Sequence, residues 1–180
     1  MQKSLGVDVG LSGAAAILVE IDGAVTVVSA IDIPIIGDST ARRINSLGLQ
    51  EWLLGHGPAF AFCERARSMP KQGIASTFRY ARSAGAIETT IQLCGIPLEL
   101  VEPTKWKKFF TLVGKDKEAS RQRALELFPG AHALLSRKRD HNIAEACLIG
   151  LYGLRTSRAL VQPTPTIEEE AALQTERSAP

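Results

Sequence analysis

The sequence has no long apolar run. Nothing in its 180 residues approaches the roughly 18 consecutive apolar residues of a membrane span. The opening MQKSLGVDVG enters a strand-like stretch without the apolar segment and small-residue cleavage site of a secretory leader. No membrane association and a soluble, cytoplasmic setting are therefore expected. Cysteine is scarce. Cys63, Cys94 and Cys147 are odd in number, far apart and set in apolar surroundings, which excludes the paired spacings of a zinc site or a disulfide scaffold and reads as core. There is no internal repeat.

What the chain does have is enough apolar residue for one ordinary core: 45% hydrophobic against 22% charged. Its net charge of +2 conceals a local imbalance. From Arg65 to Arg139 there are fifteen Lys or Arg against six Asp or Glu, whereas the C-terminal end carries Glu168, Glu169 and Glu170 in a row. A basic middle suits a polyanion such as nucleic acid, because Lys and Arg displace the counterions condensed on phosphates. Solvated helix faces would give the same count.

Residues 4–9, 13–21 and 24–33 read as β-runs, the last two joined by Asp22-Gly23, a hairpin turn signal. A first helix follows within 38–57, with Asp38 or Ser39 as cap and Ile44, Leu47, Trp52 and Leu53 as its apolar positions. The run 59–64 is a strand buried on both faces, ending at Glu64. Residues 71–94 place Ile74, Phe78, Ala81, Ile87, Ile91 and Cys94 at helical spacing, and LELVE (98–102) is a further buried strand. Helices are expected from Pro103-Thr104, over KDKEASRQRALELFPG, and over 140–154. The order β-β-β-α-β-α-β-α-α-α predicts an α/β fold: a mixed five-stranded sheet, a three-strand antiparallel meander plus two parallel strands, with helices on both faces. Residues 1–155 form the expected domain, and 156–180, rich in Pro, Thr, Ser and Glu, a mobile tail.

Acids occupy three places where apolar residues belong: Asp8 inside the first strand, Glu64 at the end of the fourth, and the Asp140–Glu145 segment opening the last helix. A buried carboxylate must be protonated, paired or bound to a cation. In the expected sheet the first strand is central and the fourth lies parallel beside it, so Asp8 and Glu64 meet where the strands end, which is the usual site in open α/β sheets. The last helix can bring Glu145 to the same place. Hard oxygen ligands without cysteine suit Mg²⁺, with Mn²⁺ as a substitute.

The ordered set GVDVGLSGAAAILVE, AFCER, YARSAGAIE, LVEPTKWKKFF, KDKEASRQRA and DHNIAEACLIGLYGL resembles the RuvC-type Holliday junction resolvases of the RNase H-like superfamily over about residues 4–155. The resemblance implies a homodimeric DNA endonuclease that makes two symmetric nicks in a four-way junction by two-metal phosphodiester hydrolysis, leaving 5′-phosphate and 3′-hydroxyl ends. The implied homodimer contact is the 71–94 helix, with Met69, Ile74 and Phe78 as candidates. The family's acidic set falls on Asp8, Glu64 and Glu145. For the fourth acid, the usual spacing falls on Asn142, leaving Asp140 and His141. His141 lies about 40° around the helix from Glu145 and Asp140 about 140°, unless Asp140 precedes the helix. Charge favours Asp140 from the N-cap, because a hard cation prefers carboxylate oxygen, so Asp140 is the expected fourth metal ligand and His141 the next candidate. The loop after Glu64 has Arg67 where relatives carry a stacking aromatic, and Arg65, Arg67 and Lys71 suit phosphates instead. The family's DNA-contacting lysines fall on Lys105 and Lys117, with Lys107, Lys108 and Lys115 competing.

Three other readings fit part of the pattern. An RNase H-like nuclease for RNA–DNA hybrids or other branched DNA would carry the same acids. DVGLSG also resembles the phosphate-binding hairpin of sugar kinases and actins, but those need two such domains, more than 180 residues provide. A catalytically silent junction-binding module would bind without cutting.

Overall fold

The computed structural model describes residues 2–67 and 73–157. Strand β1 (Lys3–Asp8) is buried on both faces along its middle, and it stands at the centre of the sheet. On one side it pairs antiparallel with β2 (Ala14–Ile21), which pairs antiparallel with β3 (Ala24–Asp32). The β2–β3 turn puts Asp22 and Gly23 at φ 51° and 80°, the two positive values that a tight hairpin matching the strand twist requires. On its other side β1 pairs parallel with β6 (Phe60–Glu64), and β6 pairs parallel with β7 (Leu98–Val101). The sheet order β3-β2-β1-β6-β7 is the expected meander with two parallel strands added.

Helices cover both faces. α1 (Ser46–His56) and α2 (Ile74–Leu93) pack on the side of Leu5, Val7, Ile17 and Cys63. The other side, carrying Ala16, Leu18 and Phe62, is covered by α3 (Pro103–Phe109), α4 (Lys117–Leu127) and α5 (His141–Thr156). Glycine brings α5 unusually near: a Cβ on Gly6 of β1 would lie 2.2 Å from the Ala146 carbonyl oxygen, and one on Gly153 would lie 2.1 Å from the Phe62 ring. The helix therefore lies backbone to backbone on the central strand.

The first helix starts later than its apparent cap. Asp38 leads only a single 3₁₀ turn (Ser39–Ala41), and a two-residue hairpin, β4 (Ile35–Ile36) with β5 (Arg43–Ile44), follows β3. The true cap is Asn45, whose side chain accepts from the Gly48 amide at 3.2 Å. Ile44 therefore belongs to β5, and Leu47 is exposed; Leu49 and Leu53 carry the buried stripe. In α2 the apolar stripe splits as well. Ile87 and Ile91 are buried, while Ile74 and Phe78 are 90% and 67% exposed. At the C-terminal end, α5 continues through Thr156, and buried Ser157 donates its hydroxyl to Glu99. Of the expected 156–180 tail, residues 158–180 lie outside the described residues, as do Met69 and Lys71. No described helix is long and apolar enough to cross a membrane.

Candidate active site

Asp8 ends β1, and the parallel register that pairs Val7 with Cys63 sets Glu64 beside it at the carboxyl end of β6. Neighbouring strands are about 4.8 Å apart, and residues in step along them share a face. Gly6 faces α5 and Phe62 faces the same core, so Asp8 and Glu64, each two residues on, point to the α5 side. The close seating of α5 then brings Glu145, in its second turn and 8% exposed, to the same two acids.

Electrostatics shows the convergence. Asp8 is held well above the ordinary carboxylate range, first by burial and then by the charges of Glu145 and Glu64, with Lys117 and Lys107 pulling the other way. Burial also raises Glu64; a hydrogen bond from Trp106 and the charge of Lys107 oppose the rise, and Glu145 adds to it. None of the three acids forms an ion pair among the described residues. Two are held instead by neutral donors: the Trp106 indole donates to Glu64 Oε2 at 2.7 Å, and the Ser120 hydroxyl donates to Glu145 Oε1 at 3.1 Å.

The donor set is all carboxylate oxygen, which suits a hard divalent cation, and the mutual repulsion of three acids without an ion-pair partner is the charge defect such a cation would cancel. As the side chains stand, no three His, Cys, Asp or Glu groups among the described residues are close enough together to hold a metal ion. Glu64 and Glu145 are turned onto Trp106 and Ser120. The residues thus fit a cation by chemistry and by the elements that carry them, once those two carboxylates swing inward.

The other expected residues divide. Asp140 does stand at the N-cap of α5, but its carboxylate turns back: it accepts from the Arg137 backbone amide at 2.8 Å and pairs with the Arg137 guanidinium at 2.8 Å. Burial works against its charge, yet the Arg137 hydrogen bonds and charge outweigh that and hold it below the usual range. The charges that act on Asp8 come from Glu145, Glu64, Lys117 and Lys107, and those on Glu64 from Lys107 and Glu145; Asp140 is among neither. His141 lies beside Lys117, Nε2 to Nζ 3.1 Å, and Lys117 also donates to Asn142 at 3.4 Å. Asn142 in turn donates to the Ser12 carbonyl, tying the β1–β2 loop to the start of α5. Of the expected DNA contacts, Lys117 and Lys107 reach the acids, with Lys107 also over the Trp106 ring. Lys105, Lys108 and Lys115 are exposed. Arg65 and Arg67 both pair with Glu102 at the start of α3.

Three side chains at the site had no part in the sequence reading: Trp106, Ser120 and Tyr80. The first two leave a trace, since an indole and a hydroxyl on buried helix faces must find acceptors. Tyr80 leaves none; its phenol is pushed up to about 12 by burial, then by Glu64, Asp8 and Cys63.

No protein-family model matches the sequence, and no curated protein matches it. Solved structures do. RuvC of Thermus thermophilus superimposes with a TM-score of 0.60 at 15% identity, over 86% of this chain and 96% of that one. The same protein in complex with a Holliday junction substrate gives 0.62 at 13%, over 86% and 93%. The chain has the RuvC fold. A yeast mitochondrial Holliday junction resolvase shares it at a TM-score of 0.54 and 15% identity, over 83% of this chain and 77% of that one.

Proposed function

We propose that the chain is a divalent-metal-dependent endonuclease that resolves four-way DNA junctions by paired nicks, leaving 5′-phosphate and 3′-hydroxyl ends. The observation that carries this reading is the convergence of Asp8 and Glu64, at the ends of two parallel strands, with Glu145 of α5, all within the electrostatic reach of one another's site and of Lys107 and Lys117. It is supported by the RuvC fold, one of whose solved examples is bound to such a junction.

Asp8, Glu64 and Glu145 would hold two such cations, Mg²⁺ with Mn²⁺ able to replace it. When bound, they would supply an acidified water for in-line attack and neutralise charge on the leaving 3′ oxygen. The chain's own groups do the rest. Trp106 and Ser120 orient Glu64 and Glu145. Lys107 and Lys117 offset negative charge at the reacting phosphate. Arg65, Arg67, Lys71, Lys105, Lys108 and Lys115 hold the flanking backbone, and they fix position rather than sequence. His141, reaching Lys117 beside the acids, is the fourth residue of the site; Asp140 builds the turn that presents it.

The deciding experiment incubates purified protein with labelled four-way junction, flap, RNA–DNA hybrid and linear duplex in Mg²⁺, Mn²⁺ or Ca²⁺. Paired symmetric nicks in the junction with Mg²⁺ or Mn²⁺ are expected. Preferential cutting of the hybrid or the flap would move the assignment to another RNase H-like nuclease, and tight junction binding without cleavage in any ion would make the chain a binding module.

A further inference from the structure

On the α2 side of the acids lies a groove of about 180 Å³ lined by Leu11, Ser76, Arg79, Tyr80 and Ser83. It is smaller than the roughly 300 Å³ at which small-molecule sites begin, so it suits one group of a larger ligand. Leu11 comes from the β1–β2 loop and the rest from the N-terminal half of α2, which reaches the strand ends because α2 returns antiparallel to β6 before β7. Gly10, at φ 137°, sets the loop flush against Tyr80: a Cβ there would stand 3.8 Å from the ring.

The walls are of two kinds. Leu11 and the Tyr80 ring pack on the core edge and offer apolar and aromatic surface. Arg79 is exposed on the rim; its Nε donates to the Ala75 carbonyl at 3.3 Å, so the guanidinium is fixed at one end only. The Tyr80 ring is half-buried, with its outer face open to the groove. A small free anion would meet the field of Asp8 and Glu64, whereas a planar base with a phosphodiester at its edge matches both kinds of wall.

We propose that this groove takes the base of the nucleotide adjoining the scissile phosphate, held against Tyr80 and Leu11, with Arg79 on its phosphodiester. The assignment rests on the nuclease reading above and adds a subsite to it.

The test uses the full chain and four-way junctions with 2-aminopurine at either side of the nick mapped with the wild type. In an Asp8→Asn background, binding should change the probe's fluorescence. Tyr80→Phe should keep that change and Tyr80→Leu should lose most of it. In the cleaving enzyme, Tyr80→Leu should raise KM about tenfold, the scale of one base on an aromatic side chain, with kcat within about twofold. Leu11→Ala, altering the loop side of the groove, should show the same split, so the assignment stays testable if Tyr80→Leu folds poorly. Arg79→Ala should lower the slope of log affinity against log salt by about one. Unchanged fluorescence and KM in both Tyr80→Leu and Leu11→Ala, with the wild type still cutting, would overturn the subsite alone. A wild type that cuts no nucleic acid overturns the nuclease reading and the subsite together.

Discussion

Asp8 costs the metal-free chain stability, and the sign of that cost is testable. Its carboxyl in the folded state is held above the unfolded value of about 3.9 by burial and by Glu145 and Glu64. Below that pH both states are protonated; as pH rises toward the folded value, only the folded state keeps the proton, so stability falls across the window. Asp8→Asn removes the penalty. It should raise Tm at pH 7 in EDTA by roughly 2–4 °C, for a gain on the order of 1 kcal/mol, and the gain should vanish near pH 4. Mg²⁺ should then raise Tm of the wild type but not of the variant, and cleavage should fall by about three orders of magnitude or more while junction binding persists, since a neutral amide is a poor ligand for a hard cation. A variant no more stable than wild type at pH 7 would show that neither burial nor the neighbouring acids penalise the Asp8 carboxylate. The two residues at the start of α5 should separate in the opposite way. Asp140 is 2% exposed and paired to Arg137, so Asp140→Asn should cost roughly 1–3 kcal/mol of stability yet leave kcat nearly intact below its melting range. His141→Ala should leave Tm unchanged and lower kcat. Loss of cleavage in a well-folded Asp140→Asn protein would return the fourth position to the carboxylate.

The site exists because one helix lies on one strand without side chains between them, and Gly6 is the point of contact. An added methyl there meets the Ala146 and Gly150 backbone at 2.2 and 2.6 Å, which only movement of α5 can relieve. Gly6→Ala should therefore destabilise by about 3 kcal/mol and, in the folded fraction, carry Glu145 away from Asp8. Gly150→Ala meets the flexible end of Leu18 first, at 2.5 Å, and should be milder; equal losses in urea unfolding would contradict this account. These glycines also mark what could and could not be read beforehand. Strand alternation, the Asp22-Gly23 turn and buried apolar runs were visible in the sequence, and they fix the sheet order by short connections and parallel crossovers. Asp8 and Glu64 were visible because an acid in an apolar run needs a reason. The two-residue β4–β5 hairpin is too short to show a period, and Asp38 carries the signature of a cap although the chain turns twice more before Asn45. At the start of α5 angular position and charge pointed to different residues, because the sequence does not reveal that Arg137, three residues upstream, claims the Asp140 carboxylate.

At the scale of the whole molecule, a four-way junction is two-fold symmetric, and one acid cluster can cut only one strand at a time. Paired nicks call for two copies related by a two-fold axis, with the same patch of each in contact. The described surface offers such a patch on the first turns of α2: Ile74 and Phe78, one helical turn apart, are 90% and 67% exposed, although apolar side chains of that size are normally buried. They lie on the helix that carries Tyr80 and Arg79, so a contact there would set the separation of two cutting sites. Phe78→Asp adds charge to a side chain that is in solvent in the single chain and should leave the protomer folded, with an unchanged far-UV circular dichroism spectrum. Sedimentation at micromolar concentration should show a dimer for the wild type, if this patch is the contact, and a monomer for Phe78→Asp. On a supercoiled plasmid with an extruded cruciform, the wild type should give linear product from two coordinated cuts, and Phe78→Asp should give nicked circles. Linear product from a Phe78→Asp monomer, at the rate of the wild type, would place the pairing of the cuts outside α2.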